Sequence, residues 1–121
     1  MQEYTLGPVE QRFAELIWAH EPVASGELVK LCERELAWKK STTYTILRRL
    51  CQRGLFCNEE GVVKACMSEQ AFRAMQSERF VEEIFDGSLP QFITAFSTRK
   101  RLSDKEVAAL QALIDGQKEG E

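Results

Sequence analysis

The 121-residue chain lacks the features that mark several large classes of protein. No apolar run approaches the roughly 20 residues that a membrane-spanning helix needs, and the N-terminus has no basic stretch followed by an apolar one, as a secretory signal would. The sequence also has no glycine-rich phosphate loop, no nucleophile elbow and no paired carboxylates suited to catalysis. We therefore expect a cytoplasmic protein that is neither inserted in a membrane nor an enzyme.

Side chains that bind metals are scarce. The single histidine is His20, and the four cysteines, Cys32, Cys51, Cys57 and Cys66, include no C-x-x-C spacing. Because a structural zinc site needs four such ligands at short spacings, we expect no zinc finger and no cofactor. Cys57 and Cys66 lie on two segments that a turn would bring together, so a redox or metal-sensing pair stays open as an alternative.

The charge is unevenly distributed, although the net charge of −3 by itself argues against a nucleic-acid partner. Residues 38–64 contain six lysines and arginines against two carboxylates, which gives +4, whereas residues 67–121 contain seven against ten, which gives −3. A locally basic segment in an acidic chain is compatible with a DNA-binding protein that relies on geometry more than on bulk attraction.

The basic segment contains a candidate recognition helix at residues 41–54, STTYTILRRLCQRG. One face repeats apolar positions at helical spacing, and the other carries hydroxyl, amide and guanidinium groups but no carboxylate. Hydroxyls and arginines bind phosphates, and Arg or Gln can also reach base edges in the major groove. Adjacent helical residues lie about 100° apart, so we expect one of Arg48 and Arg49 at a base edge and the other at a phosphate. The sequence does not indicate which arginine takes which role. The candidate DNA-binding residues on and before this helix are Lys39, Lys40, Ser41, Thr42, Tyr44, Thr45, Arg48 and Arg49.

The segments around this helix predict a winged helix-turn-helix. A first helix should begin at Pro8, and a second, with Ser25 as its N-cap, should precede the recognition helix by a short connection. After Gly54, two β-prone runs flank a polar turn with Gly61, which indicates a hairpin in the position of a wing. Lys64 on this hairpin is a candidate phosphate contact.

The C-terminal part is predicted to be helical and to form a dimer. Its last helix opens with the capping box from Ser103 to Glu106. Five of the seven phenylalanines lie beyond residue 67, more apolar surface than such short helices can bury alone. The fold class is therefore mainly α (α+β), with a winged helix-turn-helix DNA-binding domain at residues 1–67 and a helical dimerisation region at 68–121. The candidate dimerisation residues are Phe80, Ile84, Phe85, Phe92, Phe96, Val107, Leu110, Leu113 and Ile114.

An ordered series of motifs runs along most of the chain. These motifs are Leu6-x-x-x-Glu10, Trp18, Ser25-Gly-Glu-Leu28, Trp38, Thr42-x-Tyr44-Thr45-x-Leu47-x-Arg49-Leu50, Arg53-Gly54-Leu55, Phe85-Asp-Gly87-Ser-Leu89 and Leu102-Ser103-x-x-Glu106. Over about residues 6–115 the series resembles the penicillinase-repressor family. The resemblance implies a bacterial winged-helix transcriptional repressor that binds a double-stranded DNA operator as a homodimer joined through its C-terminal helices.

The resemblance also bears on induction. In antibiotic-responsive members a membrane-bound sensor protease cleaves an Asn-Phe bond, and alignment from Gly87 places that bond at Ala95-Phe96. The phenylalanine is present and the asparagine is not, and Pro90 is a further departure. Copper-responsive members carry a C-terminal cysteine cluster, whereas no cysteine follows Cys66 here. The isoelectric point near 5.3 leaves open a second function, a winged-helix protein-interaction adaptor that does not bind DNA.

Overall fold

The computed structural model describes residues 6–119, so the first five residues of the predicted DNA-binding domain and the last two of the predicted dimerisation region lie outside it. The described chain forms two units, Met1–Ser77 and Glu78–Glu121. Its secondary structure is mainly helical with one small sheet, as predicted. The elements are α1 (Pro8–His20), β1 (Val23–Ala24), α2 (Ser25–Leu36), α3 (Lys40–Gln52), β2 (Phe56–Glu59), β3 (Val62–Ala65), α4 (Glu69–Phe85), α5 (Leu89–Arg99) and α6 (Asp104–Glu119).

The first three helices form the predicted helix-turn-helix with its supporting helix. Pro8 occupies the first turn of α1, where its missing N–H costs no hydrogen bond. The predicted N-cap at Ser25 was wrong: Ala24 is the N-cap, and Ser25 is the first helical residue. The Ser25 hydroxyl instead accepts a hydrogen bond from the Tyr44 hydroxyl at 3.1 Å. This contact links the start of α2 to α3.

The predicted hairpin is confirmed and belongs to a three-stranded antiparallel sheet of order β1-β3-β2. Glu60 and Gly61 at its tip both have positive φ, 52° and 81°, as a two-residue type I′ turn requires. The two-residue strand β1 pairs with the outer half of β3, and the Gly61 carbonyl accepts the Ser25 N–H at 2.8 Å. The hairpin is therefore held against the start of α2.

The core of the N-terminal unit draws on every element from α1 to α4. Trp18 connects several of them. Its ring centroid lies 5.3 Å from that of Phe56 and 5.6 Å from that of Phe72. Its indole N–H donates to the Met67 carbonyl at 2.9 Å. Trp38, before α3, packs its ring 5.1 Å from that of Phe13. The inner face of α3 is anchored in this core, and this packing determines which side of the helix is left exposed. The buried apolar residues are Phe13, Ala14, Ile17, Val23, Leu28, Cys32, Leu47, Leu50, Leu55, Phe56, Val63 and Phe72.

The helices of the C-terminal part begin at side-chain caps. The Ser88 hydroxyl accepts the Gln91 N–H at 3.2 Å at the start of α5. At the start of α6, Ser103 and Glu106 exchange hydrogen bonds of 2.9 and 3.0 Å, as the predicted capping box requires. The hydrogen bond from the Ser103 backbone lowers the pKa of the Glu106 carboxyl. Local signals therefore define where these helices start.

Candidate nucleic-acid interface

One line of polar side chains runs along the outer surface of α3. Thr43, Leu47 and Leu50 are buried on its inner face. At 100° per residue, the positions opposite them follow each other at i, i+4, i+7 and i+11. We call this line, formed by Ser41, Thr45, Arg48 and Gln52, the outer stripe; all four residues are exposed. It presents two hydroxyls, a guanidinium and an amide without a carboxylate, a set able to bind phosphates and base edges.

The other predicted groove residues lie on the two flanks of α3. Thr42 and Arg49 share one flank, where the Arg49 Nη1 lies 3.6 Å from the Glu10 Oε2 at the start of α1. Tyr44 lies on the opposite flank, half-buried, with its hydroxyl donated to Ser25. Helical geometry therefore separates Arg48, which points directly outward, from Arg49, which is held against α1.

Gln52 did not enter the predicted set of site residues, although it lies on the same carboxylate-free face. Its position four residues after Arg48 was the signal that places it on the outer stripe. The helix continues through Gln52 and stops before Gly54, whose φ is 83°. Gln52 is therefore the last side chain that α3 contributes to this surface.

Lys39 and Lys40 stand at the N-terminal end of α3. Both are exposed, and within residues 6–119 neither forms an ion pair. No side chain caps this helix start, so N–H groups of its first turn are free of side-chain partners and the helix dipole adds partial positive charge. Two lysines beside such a helix end form a surface that attracts phosphate.

The wing, residues 56–65, carries less free positive charge than its place in the basic segment suggested. The Lys64 Nζ lies 3.8 Å from the Glu59 Oε2, and the exposed Glu60 adds a second carboxylate at the tip. A solvent-exposed pair of this kind is weak, so Lys64 can exchange Glu59 for a phosphate at small cost. The tip carboxylates themselves would repel a DNA backbone.

Two free thiols meet at the base of the wing. Desolvation, followed by the hydrogen bond and charge of Cys66 and by the nearby Glu59, raises the pKa of the Cys57 thiol to about 11. Cys57 lies opposite Lys64 in the strand register, which makes Cys66 its diagonal neighbour. Diagonal pairs are about 7–8 Å apart, beyond the usual Cα separation of a disulfide. Within the described chain, no three His, Cys, Asp or Glu side chains converge as a metal-binding group.

The predicted dimerisation residues are all exposed or half-buried in the single chain. Between residues 78 and 118 no side chain is fully buried. Phe80, Phe85 and Phe92 contact one another with ring centroids 5.5 to 6.0 Å apart. Phe85, Phe92 and Leu110 are half-buried. The exposed members of the predicted set are Phe80, Ile84, Phe96, Val107, Leu113 and Ile114.

The predicted cleavage bond lies inside a helix. Ala95 and Phe96 are both exposed and sit in the second half of α5.

None of the helices in residues 6–119 is long and apolar enough to cross a membrane.

A helix-turn-helix followed by a two-stranded wing is the arrangement of a winged-helix protein, and helix-turn-helix units occur widely in DNA-binding regulators. The sequence model described as "Penicillinase repressor" matches residues 6–116. The chain belongs to the penicillinase repressor family. It is 24% identical over 117 residues to a penicillinase repressor from Bacillus licheniformis, an alignment that covers 93% of this chain and 91% of that protein. Membership in a family of repressors indicates a regulator of transcription rather than an enzyme.

Proposed function

We propose that this protein is a dimeric transcriptional repressor that binds a palindromic DNA operator through the outer stripe of α3. The observation that carries the proposal is the stripe itself: four exposed polar side chains in line on a helix whose opposite face is anchored in the core. A major groove about 12 Å wide admits one α-helix. No carboxylate of α3 would face the phosphates on either side.

We assign different roles to the two adjacent arginines of α3, and their positions on the helix support the assignment. Arg48 lies on the outer stripe and is exposed, so it is our candidate for a bidentate contact to a guanine edge. Gln52, one turn later, suits an adenine, and the methyl and hydroxyl groups of Thr45 suit a thymine or a phosphate. Arg49, held on the flank by Glu10, is placed for the sugar-phosphate backbone, together with Thr42.

Lys39, Lys40 and Ser41 provide the main backbone contacts at the start of α3. The helix N-terminus without a side-chain cap and the two exposed lysines favour a phosphate there. Lys64 on the wing makes a weaker contact, because Glu59 competes for its ammonium group. Tyr44 supports the interface from behind through its hydrogen bond to Ser25. The wing therefore assists binding and contributes little specificity.

The uncovered apolar surface of α4 to α6 supports the dimer. Seven large apolar side chains there are at least 43% exposed, which is costly for a chain that remains single. A twofold dimer buries the same surface on both copies. Two recognition helices related by such an axis meet successive major grooves about 34–36 Å apart, so the operator should be palindromic.

The central experiment selects binding sequences from a pool of random DNA duplexes with the purified full chain. We expect an inverted repeat whose half-sites lie one helical turn apart. Fluorescence anisotropy on that duplex should then give an affinity that falls linearly with the logarithm of salt concentration. Arg48→Ala should weaken binding by about 1–3 kcal/mol per protomer and relax the sequence preference at one position in each half-site.

Arg73→Ala is the matched control, because Arg73 lies on α4 and pairs with Glu69 at 3.0 Å. It should leave both the affinity and the sequence preference unchanged. If the wild-type protein binds no duplex at low salt, the repressor proposal fails and the protein-interaction adaptor takes its place. If Arg48→Ala and Arg73→Ala behave alike while the wild type binds, α3 is not the reading helix.

Induction by a membrane-bound sensor protease is a separate proposal. Proteases bind an extended substrate, whereas the Ala95-Phe96 bond lies within α5. Cleavage there therefore requires local unfolding of that helix. Co-expression with a sensor protease and mass analysis of the fragments would test it: a cut between residues 95 and 96 supports cleavage, and an intact chain contradicts it.

A further inference from the structure

Glu10 connects the start of α1 to the recognition helix through both oxygens of its carboxylate. The Oε1 accepts the Gly7 N–H at 3.1 Å and so caps α1. The Oε2 lies 3.6 Å from the Arg49 Nη1 on the flank of α3. The Glu10 side chain is only 23% exposed, against 55% for Arg49. The carboxylate is therefore held in place by the fold, and the more exposed guanidinium is the partner that it restrains.

A restrained arginine and a free arginine behave differently toward DNA. A free guanidinium on an exposed helix flank can pair with any phosphate, which strengthens binding to every sequence alike. A guanidinium held by a fixed carboxylate reaches only a phosphate at one place relative to α3, and it has less rotamer freedom to lose there. The carboxylate also repels any phosphate near this flank, so only a phosphate that pairs closely with Arg49 overcomes the repulsion.

We propose that Glu10 is a specificity-determining positioning residue, which holds Arg49 so that it contributes to the operator complex but adds little to binding of unrelated DNA. The inference rests on the proposed DNA-binding function of α3. It assigns a role at the interface to a residue of α1, a helix that contributes no side chain to the outer stripe.

Glu10→Gln is the informative substitution, because the amide oxygen can still accept the Gly7 N–H and keep the helix cap while the charge is lost. Binding of the full-chain variant to a random-sequence duplex and to the selected operator should be measured by anisotropy over a range of salt concentrations. We expect random-duplex affinity to rise about threefold per protomer, the size of one exposed ion pair, hence about tenfold for a dimer.

The salt dependence provides a readout that a merely structural role of Glu10 would not change. Each released arginine adds about one phosphate contact, so on random DNA the slope should steepen by about two for a dimer. Operator affinity should stay within about twofold, so the ratio of operator to random-duplex affinity falls. Adding Arg49→Gln to Glu10→Gln should remove the gain on random DNA, because Arg49 is the cation that was released.

Glu15→Gln is the matched control on the same helix, since the Glu15 carboxylate accepts a hydrogen bond from the Gln11 side chain of α1 at 3.2 Å. It should leave the affinity ratio and the salt slope as in the wild type. If Glu10→Gln also leaves both unchanged while the wild type binds DNA, the inference is wrong and the repressor proposal stands. If the wild type binds neither duplex, the repressor proposal itself fails.

Discussion

The substitution Ile84→Ala tests the proposed dimer at a side chain that is largely exposed in the single chain. Ile84 is 61% exposed near the end of α4. Complete burial of an isoleucine side chain stabilises by about 1.5–3 kcal/mol, so covering its exposed part contributes about 1–2 kcal/mol per protomer. Each copy loses this in a twofold dimer, so Ile84→Ala should weaken association by about 2–4 kcal/mol, or about 30- to 700-fold in Kd.

Sedimentation equilibrium over a wide range of protein concentrations measures that dissociation constant directly. Val9→Ala is the control, because Val9 is 51% exposed on α1 but lies outside the predicted dimerisation region. It should leave the association unchanged. An unchanged dimer constant for Ile84→Ala would remove Ile84 from the interface, and a wild-type chain that stays monomeric at every concentration would refute the reasoning altogether.

Two further predictions concern the N-terminal unit. Phe72 is fully buried beside Trp18, so Phe72→Ala should lower the free energy of unfolding by about 3–5 kcal/mol, measured by urea denaturation; a loss below about 1 kcal/mol would contradict this packing. Cys57, whose pKa is raised to about 11, should react with iodoacetamide at pH 8 about tenfold more slowly than the same thiol in the urea-unfolded chain, because the loss of thiolate outweighs the gain in nucleophilicity. Peptide mass mapping measures both rates, and equal rates would contradict the raised pKa.

The sequence was sufficient wherever a short-range pattern has one structural solution. Pro8 at the first turn of α1, glycine at the wing tip and the Ser103–Glu106 capping box each determine a local conformation that hardly depends on the rest of the chain. The apolar spacing in α3 likewise defined which side faces inward, because a helix offers only one face for that stripe. Once the inner face is known, the outer stripe is the set of positions on the opposite side of the helix.

Contacts between distant segments were not accessible in the same way. Ser25 has the residue type of an N-cap, but its hydroxyl accepts a tertiary hydrogen bond from Tyr44, and Ala24 is the N-cap. Glu10 and Arg49 are 39 positions apart, and neither residue type nor periodicity indicates that they meet. The sequence therefore left Arg48 and Arg49 equivalent, and only the neighbour of Arg49 in space distinguishes them.

The acidic character of the chain is consistent with specific DNA binding when the positions of its carboxylates are considered. Glu10 engages Arg49 and Glu59 engages Lys64, so two of the cations nearest to the proposed interface are partly neutralised before DNA arrives. The sequence-independent attraction to DNA depends on the number of phosphates that the protein neutralises, so these two ion pairs reduce it. Under the proposed function, affinity would then come from base contacts of the outer stripe and from simultaneous binding of two half-sites. We expect such a repressor to depend on its dimer, because each ion pair lowers the charge that one copy can offer to DNA.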